Sequence, residues 1–241
     1  MNIKKQKDIL IINGGSSSIK FALFDAALVT KKKLSGKIER IGLPDCQFSY
    51  HDLLKDKTGT LPMDKSPVSF LLGWLEEYID METISAIGHR VVHGMKYTEP
   101  QPVSKELINE LHSISGYDPD HLPMEIEIIE RFNKKYPDLK QVVCFDTSFH
   151  TTMPRVAKLL PLPRRYDAMG IQRYGFHGIS CLYLMEALTH IADTKTAKGK
   201  IILAHLGNGA SLTAVKDGKS IDTRGFYANL WFGNGNTNWR S

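Results

Sequence analysis

Cysteine is scarce and scattered in this chain. Cys46, Cys144 and Cys181 are odd in number and show no C-x-x-C spacing. That argues against a disulfide framework or a zinc site and for free thiols in a reducing, cytoplasmic setting. No apolar run approaches the roughly 20 residues of a membrane-spanning helix, and no signal peptide is visible, so no membrane partner is expected. The basic residues do not line up with aromatics. They are dispersed apart from Lys4, Lys5 and Lys7 and the run Lys31, Lys32 and Lys33, and such short runs are ordinarily solvated surface rather than a nucleic-acid footprint. A Walker A loop is also missing, because no G-x-x-x-x-G-K-[ST] precedes a helix. What remains is a net charge of +5, 42% hydrophobic and 24% charged residues over 241 positions. That composition is ordinary for a globular protein of one large or two small domains. A mild positive balance suits an anionic small molecule.

The chain is organised around Ile9 to Asp25, ILIINGGSSSIKFALFD. A β-branched apolar run ends at Asn13, small residues follow, and a second apolar run starts around Lys20. This reads as strand, tight turn, strand. Gly14, Gly15, Ser16, Ser17 and Ser18 leave backbone N–H groups and hydroxyls available to a phosphate, with Lys20 supplying charge. An ordinary Ser/Gly hairpin is the competing reading. Further along, weak strand patterns cover 33–41 and 47–50, and 56–62 is turn-rich. Ser66 to Tyr78 reads as a helix with Val68, Leu71, Leu72, Leu75 and Ile79 on one face. Ile84 to Val92 reads as a buried strand. Ser104 to Ser113 reads as a helix capped by Ser104, and Pro123 to Phe132 as a helix with proline in its first turn. A strand over Gln141 to Phe145 ends at Asp146. In the second region, Gly178 to Ile191 reads as a helix with Leu182, Met185, Leu188 and Ile191 in register. Lys200 to Ala204 reads as a strand entering a second Gly-rich loop, His205 to Gly209. Two more strands flank Asp217-Gly218, a hairpin signal. Strands mixed with helices in this order predict an α/β fold whose functional residues sit at the carboxyl ends of strands.

Five motifs then stand together in order: NGGSSSIKF, GHRVVHG, FDTSFHTTMP, RYGFHG and HLGNGAS. They resemble the acetate kinase family, with its propionate and butyrate kinase members, over residues 9–223. The resemblance implies a ribonuclease-H-like fold of the actin, Hsp70 and sugar kinase superfamily. It implies a first domain over 1–150 and the opening part of a second over 151–223. It also implies reversible phosphorylation of acetate, or another short-chain carboxylate, by ATP with Mg2+, and a homodimer at full length.

Site residues follow from the same resemblance. Asn13 matches the magnesium site, while Ser16, Ser18 and Lys20 match the phosphate-contacting loop. His205, Leu206, Gly207, Asn208 and Gly209 match a second phosphate loop. Arg90 matches the arginine that grips the substrate carboxylate, a task suited to a planar guanidinium. His121 matches another site histidine, and Phe176 lines the acyl pocket. Asp146 matches the essential aspartate, which positions the attacking carboxylate. His177 matches the histidine that stabilises the transferring phosphoryl group. Without the family, each of these residues has a plainer reading as a cap, a surface charge or a packed histidine. The segment Asp118-Pro119-Asp120-His121-Leu122-Pro123 is more acidic than the family pattern and has Leu122 for its usual Asn. Met95 and Ile179 stand where the family carries Gly and Thr.

After Thr223 the resemblance stops and residues 224–241 change character. A permissible choice of codons for Phe226 to Ser241, read from the second base, yields F-T-P-T-C-G-L-V-M-G-T-R-T-G-D. That is the arginine-bearing continuation the family pattern leads one to expect, and both tryptophan codons fit. A shifted reading frame is therefore the expectation here, with a natural divergent terminus as the alternative. A chain ending at 241 is expected to lack kinase turnover and to be poorly soluble, with a non-catalytic fragment that only binds carboxylate or phosphate as a further alternative.

Overall fold

The computed structural model describes residues 7–28, 31–63, 66–207 and 209–227. The chain divides into two compact units, Met1–Phe145 and Asp146–Ser241.

The first unit is built on an eight-stranded mixed sheet. The opening stretch forms β1 (Asp8–Gly14) and β2 (Ser18–Asp25), paired antiparallel. The meander continues through β3 (Lys32–Glu39), β4 (Gln47–Asp52) and β5 (Lys57–Pro62). Helix α1 (Pro67–Tyr78) leads into β6 (Ile84–Val91), which pairs parallel to β1. A two-residue strand, β7 (Gln101–Pro102), precedes α2 (Lys105–Ile114) and α3 (Leu122–Lys135). Strand β8 (Lys140–Phe145) then pairs parallel to β6, giving the order β5-β4-β3-β2-β1-β6-β8-β7.

Alternation sets the faces of this sheet. Leu10 and Ile12 on β1, Ile19, Phe21 and Leu23 on β2, and Ile87 on β6 are buried with Leu71 and Leu75 of α1 and Ile128 and Phe132 of α3. Apolar burial on that face is what fixes the strand register, because a slip of one residue would expose the whole set. Ser104 caps α2 by accepting the Leu107 N–H at 3.2 Å, as its sequence position predicts. At the amino end of the sheet, buried Lys33 lies 2.5 Å from Asp8 and 3.6 Å from Asp25.

One expectation needs correction. Residues 57–62 are not a turn but the edge strand β5, held by main-chain pairing to β4 although its side chains are mostly exposed. Gly59 permits this, since a Cβ there would strike the ring of Tyr50.

In the second unit, a 3-10 turn over Ser148–Thr152 and the short helices α4 (Arg155–Lys158) and α5 (Arg164–Ala168) precede α6 (Gly178–Ile191). After α7 (Thr194–Ala197) come β9 (Lys200–His205), β10 (Gly209–Lys216) and β11 (Lys219–Tyr227), an antiparallel sheet in the order β11-β10-β9. The hairpin turn falls at Asp217 and Gly218, both with positive φ (53° and 74°), the backbone that favours Asp-Gly. Helix α6 has the predicted bounds but a different buried face. Cys181 and Met185 pack with Leu203 and Val215, whereas Leu182 and Ile191 are exposed. The apolar content of α6 is spread around the helix, so periodicity alone selected the wrong stripe.

Candidate active site

In the first unit the predicted residues gather at the carboxyl ends of β1 and β6. Lys20 pairs with Asn13 across the hairpin, and Asn13 pairs with Arg90 on β6. The three therefore form one row across neighbouring strands, with Asn13 and Lys20 exposed. The turn between β1 and β2 closes through the Gly15 N–H to the Ser18 carbonyl at 2.9 Å, which leaves Ser16 exposed at its tip.

Arg90 is held by a residue that the sequence reading did not single out. Its Nη1 donates to Glu125 Oε1 at 2.8 Å, and Glu125 Oε2 accepts the Val92 N–H at 3.0 Å. The Glu125 side chain is 0% exposed. A buried carboxylate tolerates that position because a guanidinium and a main-chain N–H both satisfy it. Gly14 lets α3 come this close, since a Cβ there would lie 2.7 Å from Ile128 Cδ1 and 3.6 Å from Glu125 Cγ. A helical Glu after a proline looks like a first-turn dipole partner, so no local signal distinguishes it.

His121 does not stand alone either. Its Nδ1 is 2.9 Å from Asp118 Oδ1, which also accepts the His121 backbone N–H at 3.2 Å. The Asp118 hydrogen bond holds the imidazole above its ordinary value despite burial. Burial alone would push Asp118 up. The ring and N–H of His121 and the charge of Arg90 outweigh it and hold the carboxyl below its usual range. The acidic lead-in noted in the sequence thus supplies the partner that raises the basicity of His121. Nearby, His93 Nδ1 accepts the Met95 N–H at 2.7 Å. Met95 sits at φ 50°, a left-handed backbone that glycine adopts without strain.

In the second unit the predicted residues meet around the start of α6. Asp146 is 5% exposed, and its carbonyl accepts the Gly178 N–H at 2.8 Å. His177 precedes that glycine with φ 60° and ψ 22°. Its ring stacks on His205, the centroids 3.9 Å apart and the planes 12° from parallel, and its Nδ1 lies 2.9 Å from Ser211 Oγ. His205 and Ser211 are opposite one another on β9 and β10, so one imidazole covers both. Leu206 and Gly207 are exposed and Gly209 opens β10; Asn208 lies outside the described residues, as does the tail over 228–241. Phe176 contributes its carbonyl to His150 Nε2 at 2.9 Å. His150, buried and bonded through Nδ1 to Ser220 Oγ at 3.0 Å, is a second residue the sequence reading left without a role. Its place in FDTSFHTTMP was the available signal.

Among the described residues no cluster of three or more His, Cys, Asp or Glu side chains is arranged to hold a metal, and no helix is long and apolar enough to cross a membrane.

A meander joined to parallel strands with functional groups at their carboxyl ends, followed by a second unit carrying its own glycine loop, defines an α/β protein of the actin-like, ribonuclease-H-like class. The model of the Acetokinase family matches residues 8–228, and the chain belongs to that family. It is 40% identical over 225 residues to the acetate kinase of Bacillus subtilis (strain 168), covering 89% of this chain and 56% of the relative. It is 38% identical over 220 residues to the acetate kinase of Mycoplasma mycoides subsp. mycoides SC, again covering 89% and 56%. Among solved structures it matches a propionate kinase from Francisella tularensis at TM-score 0.79 and 35% identity, covering 90% of this chain and 56% of that one. It matches the Porphyromonas gingivalis acetate kinase at TM-score 0.77 and 33% identity, covering 90% and 57%. The chain spans about half the length of the curated relatives it matches.

Proposed function

We propose that this chain carries the carboxylate-gripping and phosphoryl-stabilising residues of an ATP-dependent acetate kinase. In that reaction an acetate oxygen attacks the γ-phosphorus of ATP in line, the bond to the β-phosphate oxygen breaks, and acetyl phosphate and ADP form. The observation that carries the reading is the row of Lys20, Asn13 and Arg90 at the strand ends, in a chain of this family. Arg90, oriented by Glu125, takes the substrate carboxylate, and His121, its basicity raised by Asp118, adds a hydrogen-bond donor nearby. Phe176 lines the acyl pocket. Ser16, Ser18 and Lys20 hold phosphate oxygens, as do the main-chain groups from His205 through Leu206, Gly207, Asn208 and Gly209. Asp146 positions the attacking group, and His177 donates to the equatorial oxygens of the transferring phosphoryl.

Mg2+ fits this site as a guest of the nucleotide. Asn13 offers a single amide oxygen beside two cations and no carboxylate cage is present among the described residues. Such a donor set suits an ion whose other ligands are phosphates and water. There it would offset charge on the phosphate oxygens.

The Francisella tularensis propionate kinase supports a second reading, in which the acyl group is longer. One methylene is worth about 1–3 kcal/mol in a fitted pocket, so relative affinities for acetate, propionate and butyrate separate the two. The test is an NMR titration of the chain with each acid, beside the Arg90→Ala variant. We expect saturable binding that falls at least about tenfold in the variant, the loss expected for a charge-assisted hydrogen bond. Equal or absent binding in both proteins would sink the proposal. Hydroxylamine trapping of acyl phosphate with ATP and Mg2+ measures turnover separately.

A further inference from the structure

We propose that Ser211 is a positioning residue for His177. Its hydroxyl donates to Nδ1 and holds the imidazole as the neutral tautomer with its proton on Nε2. The inference deepens the role given to His177 above and rests on that reading for its catalytic meaning.

Two observations lead to it. Ser211 Oγ lies 2.9 Å from His177 Nδ1 in a side chain that is 2% exposed, so the contact is an interior one. The His177 ring lies flat on His205 at 3.9 Å. Two imidazolium rings at that separation repel, so the stack favours at most one positive charge. A neutral His177 has one ring proton, and the direction of the Ser211 hydrogen bond fixes which nitrogen carries it. When the serine donates, Nδ1 accepts and the proton stays on Nε2. When the serine accepts, Nε2 is left with a lone pair. A group that meets phosphoryl oxygens must donate, and only the first arrangement allows that.

The same molecule already contains this device. His150 Nε2 faces the Phe176 carbonyl at 2.9 Å, and a carbonyl only accepts, so Nε2 carries the proton. Its Nδ1, 3.0 Å from Ser220 Oγ, then accepts the serine hydroxyl. Ser211 on β10 and Ser220 on β11 thus play equivalent parts for two histidines, one of which props the loop that carries the other.

The test needs no turnover. The full chain is labelled with 15N-histidine and its ring nitrogens are read by long-range 1H–15N correlation. The spectrum is taken at about pH 8, above the ordinary imidazole range, and His177 is assigned by loss of its signals in His177→Gln. We expect an unprotonated Nδ1 and a proton-bearing Nε2. Ser211→Ala should give a mixture of tautomers, Ser211→Thr should restore the wild-type pattern, and the His150 signals should stay unchanged in both. A proton-bearing Nδ1 in the wild type, or an Ala variant identical to it, overturns the proposal. If Ser211→Ala does not fold, the wild-type and Thr spectra still decide. Adding inorganic phosphate probes the separate claim that His177 meets phosphoryl oxygens. An unmoved Nε2 signal would count against that role and leave the tautomer assignment standing.

Discussion

At Met95 a side chain occupies a left-handed backbone that glycine adopts without strain. A left-handed residue with a Cβ costs roughly 1–2 kcal/mol, and the extra freedom of glycine in the unfolded chain returns part of that. Met95→Gly should therefore stabilise the protein by about 0.5–1 kcal/mol, read as a higher urea midpoint at constant m. A lower midpoint would show that the Met side chain contributes more by contact than its backbone costs. The sequence drew attention to this position only through the resemblance, which leads one to expect glycine there. Arg90 and His177 stood out because they lie in GHRVVHG and RYGFHG, whereas Ser211 closes HLGNGAS without a role of its own. Glu125 lies in none of the motifs and looks like a first-turn acid. Only the folded chain brings Glu125 to Arg90 and Ser211 to His177.

Elements with a strong local signature were readable: the β1–β2 hairpin, the Asp-Gly turn between β10 and β11, and the Ser104 cap of α2. Those fixed by tertiary contact were not, as the edge strand β5 and the buried face of α6 illustrate. Strand β6 holds a further case. His89 is 2% exposed and donates from Nε2 to Gln141 Oε1 on β8 at 2.8 Å. His89 Nδ1 and Gln141 Nε2 have no hydrogen-bond partner among the described residues. Burial lowers the imidazole from 6.5 to about 4, the bond to Gln141 opposing it only in part. A depressed value means that the folded state excludes a proton the unfolded chain accepts. Its contribution is full above pH 6.5 and is lost as pH falls towards 4, on the order of 3 kcal/mol across that window. The double variant His89→Leu/Gln141→Leu should lose this acid sensitivity and match or exceed wild-type stability at neutral pH, because two unsatisfied groups disappear together. Urea titrations of both proteins at either end of the window would check it. Parallel pH dependences would mean that His89 is not the sensitive group.

For the whole molecule, the second unit leaves apolar surface in solvent. Ile202 is 74% exposed and Leu212 45%, on the sheet face opposite buried Leu203 and Val215, while Ile191 of α6 is 82% exposed. Exposed apolar side chains on a sheet face of this kind favour association. We expect concentration-dependent oligomers in sedimentation velocity, shifted towards monomer by Ile202→Lys. A monomeric wild type at high concentration would contradict this. The division of the chain into units also places Asp146 at the start of the second, directly after β8, with its main chain tied to the start of α6. The tethering atom is a carbonyl oxygen, which every amino acid possesses. That tie therefore does not depend on which side chain stands at 146, whereas residue 178 tolerates only glycine, because a Cβ there would run into that carbonyl. Of these two neighbours in space, one is tied through an atom common to every residue and the other is locked by geometry alone.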